Sequence, residues 1–159
     1  MMPKGVFCDT SFFMRLLDKN DPLHANAKGY FRHFTEKEVD LFVSTIAIAE
    51  YCVGGDVSEL PLRNLQIIPF NLDHSKRAGE FARIIFEAKR SGNLSVSHRN
   101  LIPNDTKLFA QADCEKSVDI YLSSDTESQR IYNLLPNPKF RFVDLNTPHH
   151  QTFGILDLE

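Results

Sequence analysis

Short apolar stretches, each followed by a helical pattern, recur along the chain and constrain its fold more than any other feature. The predicted strands are residues 4–8, 41–43, 66–70, 118–122 and 140–145. The predicted helices are residues 10–17, 22–34, 45–52, 73–90, 105–116 and 126–135. A helix between two strands carries the chain back to the same edge of the sheet, so the strands run parallel. The sequence therefore predicts an α/β fold with a mostly parallel five-stranded sheet and helices on both faces.

The chain is expected to form one domain, residues 1–145, followed by a tail, residues 146–159. Its 159 residues, 42% of them hydrophobic, are enough to bury a core without staples. The Ser-, Asn- and Gly-rich residues 91–104 are expected to form a surface loop. No apolar run reaches the roughly 18 residues of a membrane span, and no signal peptide is recognisable, so a cytoplasmic protein is expected. Three cysteines without zinc-site spacing are expected to be buried free thiols.

Four acidic residues fall at or near the ends of predicted strands or on the helices that follow. Asp9 and Asp125 come after strands, whereas Glu50 and Asp105 lie on helices. Parallel sheets bind ligands at the carboxyl ends of their strands. We therefore expect the four carboxylates to converge at that edge of the sheet.

Each carboxylate also has an ordinary structural explanation. Asp9 can cap the following helix, and Asp105 can favour the dipole at a helix start. Asp125 can be a solvated acid beside a capping box formed by Ser124 and Glu127. Glu50 is harder to explain in this way, because its helix is apolar almost all round and burying an unpaired carboxylate is costly.

Four converging carboxylates repel one another and require a cation. Oxygen ligands without His or Cys favour Mg²⁺ or Mn²⁺, and such ions support hydrolysis of phosphodiester bonds. Thr10, Ser11 and Ser124 flank the acids and can donate hydrogen bonds to them or to phosphate, although helix capping explains these residues equally well.

These segments resemble the PIN-domain family, and more narrowly its VapC-like toxins. The resemblance spans nearly the whole chain and rests on the segments FCDTSFF, STIAIAEY, IPNDTKLFAQA, IYLSSDTES and FRFVDL. It implies a three-layer α/β/α sandwich with endoribonuclease activity and metal ligands at Asp9, Glu50, Asp105 and Asp125. It also implies a homodimer that is neutralised by a small antitoxin protein.

An RNA substrate requires basic contacts, although the net charge is −3. Five candidates lie near the predicted Asp105 helix: Lys89, Arg90, His98, Arg99 and Lys107. Solvated helix ends explain Lys89 and Arg90 at least as well. Two other functions stay open at this point, namely a non-catalytic RNA- or protein-binding scaffold and a structure-selective DNA nuclease.

Overall fold

The computed structural model describes residues 2–90 and 101–154, and the side chains of residues 89, 90 and 101–103 fall outside that description. The strands are β1 (Gly5–Cys8), β2 (Asp40–Ser44), β3 (Leu65–Ile68), β4 (Ile120–Ser123) and β5 (Arg141–Asp144). The helices are α1 (Thr10–Leu17), α2 (His24–Glu36), α3 (Thr45–Tyr51), α4 (Leu72–Arg90), α5 (Leu101–Cys114), α6 (Thr126–Tyr132) and α7 (His149–Thr152). Two short 3-10 helices, Val57–Glu59 and Leu62–Asn64, precede β3.

All five strands pair in parallel, in the order β3-β2-β1-β4-β5. This arrangement confirms the predicted sheet. Strand β1 lies at the centre, and all four of its residues are buried, as expected for a strand with helices on both of its faces.

Side chains alternate between two apolar layers on opposite faces of the sheet. Val6 and Cys8 of β1 pack with α1, α2 and α3, whereas Phe7 packs with α4, α5 and α6. The result is a three-layer α/β/α sandwich, as the resemblance implied. Within the described ranges, no helix is both long enough and apolar enough to cross a bilayer.

Several boundaries differ from the sequence prediction for identifiable reasons. Helix α5 begins at Leu101 rather than at Asp105, because a proline in the first turn, here Pro103, needs no hydrogen-bonding N–H. Helix α6 ends at Tyr132, after which tight i to i−3 hydrogen bonds continue to Leu135. Part of the predicted tail is ordered: α7 follows β5, and Phe153 packs against the α2 side of the core.

The expectation that the apolar helix α3 buries Glu50 is wrong. Ala47 is the buried residue of this helix, and Glu50 is half-buried. Cys52 and Val53 follow the helix on the surface, so the prediction of a buried Cys52 is also wrong. A helix of seven residues at the rim of the sheet turns only a narrow face toward the core, whatever its apolar content.

Candidate functional site

Two of the four predicted acids lie at the carboxyl ends of adjacent central strands. Asp9 directly follows β1, and Asp125 is the second residue after β4. Cys8 and Leu122 are partners in the parallel ladder that joins these strands, so β1 and β4 both end at the same edge of the sheet. The topology thus delivers Asp9 and Asp125 to one place.

Asp9 is held by hydroxyl groups. Its Oδ2 accepts hydrogen bonds from Ser123 Oγ at 2.7 Å and from Ser11 Oγ at 2.9 Å. The side chain does not cap α1, although Asp9 occupies the N-cap position. Burial raises the pKa of this carboxyl, and the charge of Asp125 raises it further, against the opposing effect of the two hydroxyls. The simple capping explanation of Asp9 is therefore wrong.

Asp125 does cap a helix. Its Oδ1 accepts hydrogen bonds from the backbone N–H groups of Glu127 and Ser128, at 2.9 and 3.3 Å, at the start of α6. The capping-box alternative placed the cap at Ser124, and that placement is wrong because Asp125 itself caps the helix. The backbone N–H of Asp125 donates to Ser123 Oγ at 3.0 Å, which couples this residue to the hydroxyl that binds Asp9.

Glu50 reaches the same edge from α3. Its Oε2 accepts a hydrogen bond of 2.6 Å from the hydroxyl of Thr10, the residue next to Asp9. The pKa of Glu50 is raised, chiefly by burial and further by the charge of Asp9. Glu50 is half-buried and hydrogen-bonded, so the premise of a fully buried, unpaired carboxylate was wrong, although the residue does lie beside Asp9.

The fourth acid, Asp105, has a strongly raised pKa. It lies in α5, is 6% exposed, and its Oδ1 accepts a hydrogen bond of 2.8 Å from Ser128 Oγ. Its Oδ2 is buried and meets no hydrogen-bond partner among the described residues. Burial raises the pKa of Asp105 to about 8, and the charges of Asp9, Asp125 and Glu50 add to that effect. The four carboxylates are therefore electrostatic neighbours.

The hydroxyl donors include residues that the sequence analysis missed. Thr10 and Ser11 bind carboxylates directly, whereas the Ser124 backbone N–H donates to Ser11 Oγ at 3.1 Å. Ser123, rather than Ser124, donates to Asp9. Ser123 is the last residue of β4 and shares a face of the sheet with Tyr121, a relation that strand alternation could have indicated. Ser128 lies three positions after Asp125 on α6, at the spacing that brings helical residues onto one face.

Of the five basic residues predicted near the site, only the side chain of Lys107 belongs to the described part of the chain. The side chains of Lys89 and Arg90, and the whole of His98 and Arg99, lie outside the described residues. Lys107 is half-buried two positions after Asp105, a spacing that turns helical side chains apart. Arg15 does touch the site: its Nε lies 3.5 Å from Ser124 Oγ, while its Nη1 pairs with Asp21 at 2.6 Å.

The donor set suits a hard divalent cation, because it consists of oxygens and includes a buried one without a partner. In residues 2–90 and 101–154, however, no three acidic, His or Cys side chains already stand at the spacing of a metal cage. A cation would have to draw the carboxylates inward, and its charge would offset both the burial and the mutual repulsion that raise the pKa values of Asp9, Glu50 and Asp105.

The chain matches no protein-family model and no curated protein. It is similar to solved structures of VapC-type proteins. VapBC2 from Rickettsia felis, bound to a DNA fragment from its promoter, is 16% identical with a TM-score of 0.57, over 88% of this chain and 98% of that one. DNA-bound VapBC from Salmonella typhimurium is 15% identical with a TM-score of 0.53, over 91% and 99%.

A third similar structure is VapC20 of Mycobacterium tuberculosis, described as a toxin that cleaves the sarcin-ricin loop. It is 20% identical with a TM-score of 0.54, over 78% of this chain and 92% of that one. The parallel α/β/α sandwich thus has the architecture of a PIN domain. More narrowly, it is similar to the VapC-like form of that fold, which confirms the fold that the resemblance in the sequence implied.

Proposed function

We propose that this protein is a Mg²⁺- or Mn²⁺-dependent endoribonuclease whose metal ligands are Asp9, Glu50, Asp105 and Asp125. The observation that carries the proposal is Asp105 Oδ2, a buried oxygen without a hydrogen-bond partner in the described part of the chain. A carboxyl that served only to cap or solubilise a helix would have its oxygens in water or on backbone N–H groups. The Asp105 carboxyl instead feels the charges of three other carboxylates, those of Asp9, Asp125 and Glu50.

The surrounding hydroxyls hold the carboxylates ready for a cation. Ser11 and Ser123 fix Asp9 through Oδ2, Thr10 fixes Glu50, and Ser128 fixes Asp105 through Oδ1. Such partners orient metal ligands and restrict their rotamers. A bound dication would supply the charge that lowers the pKa of an attacking water and stabilises the leaving oxygen. No nucleophilic side chain is needed for that chemistry.

RNA is the proposed substrate. VapC20, which shares the fold, is described as cleaving the sarcin-ricin loop, an RNA target. In this chain Arg15 is a cation next to the site, with a partly exposed guanidinium held by Asp21 and lying near Ser124. An anchored guanidinium can contact phosphate at little entropic cost. It would meet the backbone of a strand whose scissile phosphate sits over the carboxylates.

The comparison with solved structures also supports a role as the toxin of a type II toxin–antitoxin pair. Two of the similar structures are VapBC complexes bound to DNA. We infer that this chain binds a small antitoxin protein and forms a homodimer. Induced expression should arrest growth, and co-expression with the product of an adjacent short gene should restore it. Growth unaffected by wild-type expression would favour RNA processing over toxicity.

The activity is tested on single-stranded RNA and on flap DNA, with Mn²⁺ and with EDTA. Wild-type protein should cut RNA with Mn²⁺ but not with EDTA. Asp9→Asn should lower the rate by at least about 100-fold, because loss of a ligand exceeds the usual cost of losing a ligand's hydrogen-bond partner. The control, Asp18→Asn, changes an exposed acid after α1 and should cut at the wild-type rate. Cleavage of flap DNA alone would indicate a DNA nuclease. Cleavage of neither substrate would indicate a non-catalytic scaffold.

A further inference from the structure

Tyr121 is a buried tyrosine with no evident use for its hydroxyl. Its exposed fraction is 0%, and its ring stacks on Phe7 with centroids 5.6 Å apart and contacts Phe109 edge-on at 4.8 Å. Its hydroxyl has no hydrogen-bond partner within the ranges that the structure describes. Phenylalanine would fill this space without the cost of burying an unpaired hydroxyl.

The strands direct this hydroxyl toward the carboxylates. Tyr121 and Ser123 alternate onto the same face of β4, and Ser123 Oγ already binds Asp9. Across the parallel ladder, Phe7 is the register partner of Tyr121, and Asp9 lies two residues beyond Phe7 on the same face. Stacked on the Phe7 ring, the phenol therefore extends along this face toward Asp9.

The electrostatic surroundings agree with that direction. Burial is the main cause of the strongly raised pKa of Tyr121, followed by the charges of Asp9, Asp105 and Glu50 and by a hydrogen-bonding contribution from Asp9. The hydroxyl thus lies close to the Asp9 carboxylate, although the two groups do not meet the distance and angle limits of a full hydrogen bond.

We propose that Tyr121 is a positioning residue, whose hydroxyl donates a hydrogen bond to the Asp9 carboxylate when the carboxylates close around a divalent cation. The inference rests on the proposed metal-dependent function. Asp9 Oδ2 already accepts hydrogen bonds from two serine hydroxyls. A third donor, the Tyr121 hydroxyl, would fix the orientation of the carboxylate plane. It would also use a buried hydroxyl that the aromatic layer leaves unpaired among the described residues.

The test is the affinity for Mn²⁺, measured by counting free Mn²⁺ by electron paramagnetic resonance, in the wild type and in Tyr121→Phe. Loss of a hydrogen-bond partner of a metal ligand should raise the Kd about 10- to 100-fold. The matched control is Tyr132→Phe, which belongs to the same aromatic layer but whose hydroxyl donates to the Phe140 carbonyl at 2.7 Å. This control should lose some thermal stability and keep the wild-type Kd.

The outcomes separate the two proposals. Wild-type protein that binds no Mn²⁺ overturns the proposed function and this inference together. Wild-type binding with a Kd for folded Tyr121→Phe within twofold of the wild-type value overturns this inference alone. A measurement on the wild type covers the case of a misfolded variant: Mg²⁺ should red-shift the tyrosine absorption, as a phenol does on donating to a carboxylate. An absorption spectrum that Mg²⁺ leaves unchanged would then count against the proposal.

Discussion

Replacing Asp105 by asparagine should stabilise the metal-free protein at alkaline pH. The substitution preserves the size of the side chain and its acceptor for Ser128 Oγ, but removes the carboxyl whose ionisation the fold opposes. The folded-state pKa of Asp105 is about 8, against an ordinary value of 3.8. Below the lower of these values the carboxyl is protonated in both the folded and the unfolded protein, and its contribution to stability is complete.

The sign and the size of the effect follow from proton linkage. Between pH 3.8 and about 8 the folded state holds a proton that the unfolded state has released, so the free energy of unfolding falls as the pH rises. The loss is about 1.4 kcal/mol for each pH unit, or on the order of 5 kcal/mol across the whole window. Asp105→Asn lacks this loss. Relative to the wild type it should gain roughly 3 to 4 kcal/mol between pH 5 and pH 8.

The assay is urea denaturation in EDTA at half-unit intervals from pH 5 to pH 9, for the wild type, Asp105→Asn and Asp18→Asn. The exposed Asp18 serves as the control, and its variant should follow the wild-type curve. In thermal melts of the same samples, the melting temperature of Asp105→Asn should gain roughly 6 to 16 °C on that of the wild type between pH 5 and pH 8, since about 1 kcal/mol shifts the melting temperature by about 2 to 4 °C in a domain of this size.

Parallel curves for the wild type and Asp105→Asn would refute this reasoning, because they would mean that the carboxyl titrates at the same pH folded and unfolded. The same pair of proteins also reports on the metal. Mn²⁺ should raise the stability of the wild type most at high pH, where the repulsion that it relieves is greatest, and should raise that of Asp105→Asn much less.

Three further substitutions test the packing that supports the site. Gly5→Ala should cost about 1 to 3 kcal/mol in urea denaturation, because a Cβ there meets a backbone carbonyl, whereas Gly54→Ala, in open space, should cost far less. Arg77→Met should cost about 3 kcal/mol, since it leaves the buried Asp113 carboxylate without its ion-pair partner; equal stability of variant and wild type would contradict this. Tyr30→Phe should cost about 1 kcal/mol and loosen the segment around α7, which hydrogen exchange would detect, because its hydroxyl bonds two groups there.

The sheet and the position of its acidic edge could be predicted because both depend on local patterns. A buried strand followed by Asp9, and another followed within two residues by Asp125, fix the edge once the strands are parallel. The cap of α3 at Ser44 also follows from local rules, whereas the cap of α6 lies at Asp125, one residue after the Ser124 of the capping-box alternative.

The hydrogen-bond partners of the acids and the burial of α3 depend on strand register and on distance from the core. Neither can be read from a local stretch of sequence. Two adjacent serines follow the apolar part of β4, and only the pairing of Ser123 with Asp144 of β5 places Ser123 inside the sheet. Likewise, the apolar composition of α3 cannot tell a core helix from one at the rim. The unpaired hydroxyl of Tyr121 could not be predicted from the sequence either, since the hydroxyl of a buried tyrosine normally has a hydrogen-bond partner.

The central pairing of β1 with β4 has a consequence for how the protein is made. Asp9 and the Ser123 hydroxyl that orients it lie 114 residues apart in the chain. A polypeptide still on the ribosome therefore carries Asp9 and Glu50 long before Asp125 and its strand exist. With the proposed ligands, a fragment ending before β4 has three of the four carboxylates but lacks Asp125 and the hydroxyls of Ser123 and Ser128, so the unfinished chain should be inert toward the RNA that surrounds it.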